Sequence, residues 1–91
     1  MAAARKNHRL SIAQQALLVS LHDEVSHLEH PGAVSIECSM NEKASALALS
    51  RRGYLLIHDA PGVDRSFEVF LTAEGIETAM AMTAQVHGSS Q

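Results

Sequence analysis

In Ala33-Val34-Ser35-Ile36-Glu37-Cys38-Ser39-Met40, apolar and polar residues alternate without a break. Val34, Ile36, Cys38 and Met40 share one side, and Ser35, Glu37 and Ser39 share the other, which is the period-2 pattern of a half-buried strand. The period then changes. Ser39 followed three residues on by Glu42 is a capping-box signature, and the alanine- and leucine-rich run behind it predicts a helix over residues 40–52. Gly53 stands where a C-cap belongs, and Arg51 and Arg52 suit the negative end of the helix dipole.

On the N-terminal side, Ser11 and Gln14 form an earlier capping box, and the helix they open is expected to reach Glu29, ahead of His30-Pro31-Gly32. Leu17, Leu21, Val25 and Leu28 recur at helical spacing, while Leu18 and Val19 widen the apolar face beyond one stripe. A face this wide in a small domain implies contact on more than one side, so a second subunit or a partner helix is expected against it. Before it, residues 1–10 carry Arg5, Lys6 and Arg9 and no acid, and read as a basic flexible arm.

On the C-terminal side, Tyr54-Leu55-Leu56-Ile57 and Phe67-Glu68-Val69-Phe70-Leu71 flank Asp59-Ala60-Pro61-Gly62-Val63-Asp64, whose Pro-Gly pair and aspartates are turn chemistry. This is a hairpin. Thr72 caps a last helix expected to run to Gln85, with Ile76, Ala79, Met80 and Thr83 on one side and Gly75 tolerated in its first turn. Residues 87–91 read as a disordered tail. The expected order is α-β-α-β-β-α, an α+β domain over residues 11–86 with a three-stranded antiparallel sheet.

The 91 residues are 46% hydrophobic with only three aromatics and a net charge of -3. That excludes two ordinary domains, a membrane-spanning stretch and a strongly basic nucleic-acid binder. A domain of this size buries only roughly 60–65% of its unfolded surface, which favours a stabilising second copy. The single cysteine, Cys38, cannot form an internal disulfide, and no signal-like apolar segment opens the chain, so the expected compartment is cytoplasmic.

Leu49-Ser50-Arg51-Arg52-Gly53-Tyr54-Leu55, the hairpin with its polar tip, and Phe67 through Leu71-Thr72-Ala73-Glu74-Gly75 resemble the end of the recognition helix, the wing and the Leu-Thr-x-x-Gly entry to the last helix of winged-helix regulators such as the MarR and PadR groups. The resemblance covers the C-terminal half. It departs from the family upstream, where a winged helix places two helices and a turn and this chain offers a strand and one helix. The segment from Val34 to Ser39 running into a helix, then Arg51-Arg52-Gly53-Tyr54 and a hairpin, is also similar in layout to the N-terminal αβαββ domain of a small-subunit ribosomal protein that binds ribosomal RNA.

The winged-helix resemblance implies a homodimeric DNA-binding transcriptional regulator. Asn41, Lys43, Ser45, Arg51, Arg52 and wing Arg65 would contact DNA, with the arm's Arg5, Lys6 and Arg9 beside them. Leu17, Leu18, Leu21 and Val25 of the first helix and Ile76 and Met80 of the last would form the dimer interface. A second reading of another class is an acidic protein-interaction module, an inhibitor or adaptor on the same scaffold that exposes an apolar patch between Leu17 and Leu28 or between Ile76 and Met82 and does not bind DNA.

Catalytic constellations are weak. Asp23, His27 and His30, with His22 and Glu24 nearby, have a spacing that a metal would accept, but histidines on a solvated face are the commoner case, so no metal, cofactor or enzymatic activity is expected. Cys38 is expected to point inward as an inert core thiol. Six histidines would carry the net charge toward zero or above below about pH 6.5.

Overall fold

The computed structural model describes residues 10–58 and 66–89. The arm's residues 1–9, the hairpin tip 59–64, Arg65 and residues 90–91 lie outside them.

The first capping box forms as expected. The Gln14 amide donates to Ser11 Oγ at 3.1 Å, and the Ser11 amide donates to Gln14 Oε1 at 3.2 Å. The helix it opens, α1 (Ile12–Val25), stops four residues before the expected Glu29. From Ser26 to His30 every side chain is exposed, so there is no buried face to hold another turn. The chain instead bends, with the Leu28 amide donating to the Val25 carbonyl, and passes through a 3₁₀ turn at Pro31–Ala33. Leu10, assigned to the arm by sequence, is buried in the core.

β1 (Ile36–Ser39) carries Ile36 and Cys38 inward and Glu37 and Ser39 outward. The alternation does not extend to Met40, which opens a 3₁₀ turn, Met40–Glu42, and is exposed. The second box fixes that turn, the Ser39 amide donating to Glu42 Oε1 at 3.1 Å, and α2 (Lys43–Arg51) continues from it. α2 ends in a Schellman motif: Gly53 takes φ +85°, its amide donates to the Ser50 carbonyl, and the Tyr54 amide donates to the Leu49 carbonyl, each at 3.0 Å.

β2 (Leu55–His58) and β3 (Ser66–Leu71) pair antiparallel, and β1 joins the other side of β3, giving the sheet order β1-β3-β2. The domain is thus α+β with a three-stranded antiparallel sheet in the expected order. Ile36, Cys38, Leu55, Phe67, Val69 and Leu71 form the buried side of the sheet. α3 (Ala73–Ser89) follows, and its backbone stays helical through 87–89, the stretch read from sequence as tail.

The helices close over this side. Leu17, Leu18, Leu21 and Val25 of α1 are all buried in the chain's own core, together with Ala46, Leu49 and Ala79. α1 packs against both α2 and α3, so its wide apolar face is explained by two neighbours within the chain. Each fully buried large side chain, such as Phe67, Leu18 or Leu49, contributes about 1.5–3 kcal/mol.

Candidate functional site

α2 is the element on which the sequence places most of its candidate contacts, and its neighbours decide which of them reach solvent. α1 covers one flank and β2 the other. Ala46 and Leu49 turn inward, while Ala44, Leu47 and Arg51 are exposed. Met40, just ahead of the helix, is 46% exposed, and Leu47 is 38% exposed. Residues 44, 47 and 51 are spaced three and four apart within α2 and share one face. That outward face carries Ala44 and Leu47 and ends in Arg51, with Met40 exposed in the 3₁₀ turn ahead of it.

The expected DNA-contacting residues do not converge on it. Asn41 is exposed, and its side-chain oxygen accepts the Ser39 hydroxyl. Lys43 lies half-buried, with Nζ 4.7 Å from the centroid of the Phe67 ring, a cation–π contact that ties it to the core edge. Ser45 is half-buried. Arg51 and Arg52 sit at the opposite end of the helix, about 12 Å from Lys43 along the axis. Arg65 lies outside the described residues.

The whole chain holds seven Lys/Arg against ten Asp/Glu, a net charge of -3. Burial, the larger effect, and the carboxylates of Glu42, Glu24 and Glu37 push the Cys38 thiol up from 9.0 to about 11. Cys38 is 2% exposed, which makes it the inert core thiol the alternation implies. On the solvent side of the sheet, Glu37 lies directly opposite Glu68, and His58 Nδ1 is 3.8 Å from Glu68 Oε1.

The residues named for a dimer interface fare unevenly. Leu17, Leu18, Leu21 and Val25 are spent inside the core, which also removes the apolar patch expected between Leu17 and Leu28. Ile76 packs half-buried against the core, as does Met82. Met80, grouped by sequence on one side of α3 with Ile76, Ala79 and Thr83, is turned outward and 54% exposed, whereas Ala79 is buried. On α1, His22 is half-buried and Asp23 and Glu24 are exposed, and His27 and His30, beyond its end, are exposed; among the described residues no cluster of three or more His, Cys, Asp or Glu side chains could hold a metal ion.

The exposed Met40, Ala44 and Leu47 are not singled out by the sequence, where Met40 continues the strand's alternation and Ala44 and Leu47 belong to an alanine- and leucine-rich run whose outward side no local pattern marks. Among the described residues no helix is long and apolar enough to cross a membrane. The chain matches no protein-family model, no curated protein and no solved structure.

Proposed function

We propose that this chain is a small, non-enzymatic protein-interaction module of the inhibitor or adaptor kind, built on a winged-helix-like scaffold. The observation that carries the reading is the outward face of α2, where Met40, Ala44 and Leu47 stand in place of hydrogen-bond donors. A helix that reads DNA presents polar side chains to base edges and cations to phosphates. This one presents methyl and methylene groups, the material of a protein interface core. The chain's net charge of -3 supports the same reading, because at long range it opposes a polyanion.

A homodimeric DNA-binding regulator is the second reading, favoured by one observation. The exposed Arg51 closes α2 directly before Gly53 and the β2–β3 hairpin, the place where a winged helix carries phosphate contacts. Fluorescence anisotropy with a mixed-sequence duplex separates the two. The interaction module leaves the duplex free even at low salt. Binding that weakens steeply as salt rises and is lost on Arg51→Ala with Arg52→Ala would contradict it and establish the regulator.

A further inference from the structure

We draw no further inference here: the strongest candidate, the solvent side of the sheet, where the exposed Leu56 lies opposite Phe70 and the next row sets His58, Glu68 and Glu37 side by side, is an unpartnered apolar patch beside an acidic pair, and nothing in the structure shows what covers it.

Discussion

Gly75, in the first turn of α3, is pressed against the backbone of Tyr54, and a methyl group added there would run into the Tyr54 carbonyl oxygen. That carbonyl is already occupied as the acceptor of the Thr72 amide at 3.2 Å. The joint between the end of α2 and the start of α3 therefore has room for a hydrogen atom and nothing larger.

Two glycine substitutions separate two kinds of constraint. Gly75→Ala forces backbone apart and costs about 1–3 kcal/mol. Gly53→Ala costs about 1–2 kcal/mol for a different reason, its φ of +85°. Asparagine, which accepts the left-handed region, recovers part of the loss at 53 and none at 75. Urea denaturation of the four variants checks this. Equal recovery at both positions would contradict the steric account of Gly75.

Thr72 stitches the same joint through its hydroxyl, which donates to the Gly53 carbonyl at 2.7 Å and accepts from the Gly75 amide at 3.0 Å. Thr72→Val keeps the shape, removes both bonds and should lower stability by about 1–2 kcal/mol. Thr72→Ser retains both and should lose much less. Thermal melts of the pair decide it, and equal losses would mean the hydroxyl contributes nothing.

These residues show where sequence reading stops. Ser11, Ser39 and Gly53 act on neighbours a few positions away, so their capping roles were legible from spacing. The alternation of Ile36 and Cys38 was legible for the same reason. Gly75 was read as merely tolerated, because its need arises from Tyr54, a neighbour 21 positions away that no local pattern reveals. The wide face of α1 was visible as apolarity, but periodicity does not distinguish a helix of the same chain from one of another. Met40 was misplaced because alternation continues on paper past the point where Ser39 turns the chain. The candidate contacts on α2 were legible as residue types only; which of them faces outward depends on α1 and β2.

Cys38 gives a pH-dependent prediction. Its folded-state value, about 11, lies above the ordinary 9.0, so the unfolded chain releases the thiol proton first as pH rises. The stabilisation is complete below pH 9 and is lost as pH climbs from 9 to about 11. Denaturation midpoints measured from pH 8 upward should fall across that window, and Cys38→Ala should remove this part of the decline. A disulfide reagent should modify the thiol only after denaturant is added; prompt reaction of the native chain would contradict its burial.

On the solvent side of the sheet, two carboxylates face each other across β1 and β3. Glu37→Gln removes the like-charge pair and leaves Glu68 beside His58, so stability at neutral pH should rise by about 0.2–1 kcal/mol. The gain should shrink in high salt, since the pair is exposed to solvent. A variant that is less stable than the wild type would show that the Glu37 carboxylate serves some favourable contact.

The central claim is that the outward face of α2 contacts protein and not nucleic acid. Amide chemical-shift mapping of the full chain with and without duplex DNA at low salt tests it most directly. The duplex should leave the amides of Met40, Ala44, Leu47 and Arg51 unmoved. Shifts at Asn41, Lys43, Ser45 and Arg51 that appear with the duplex and fade as salt is raised would contradict the claim.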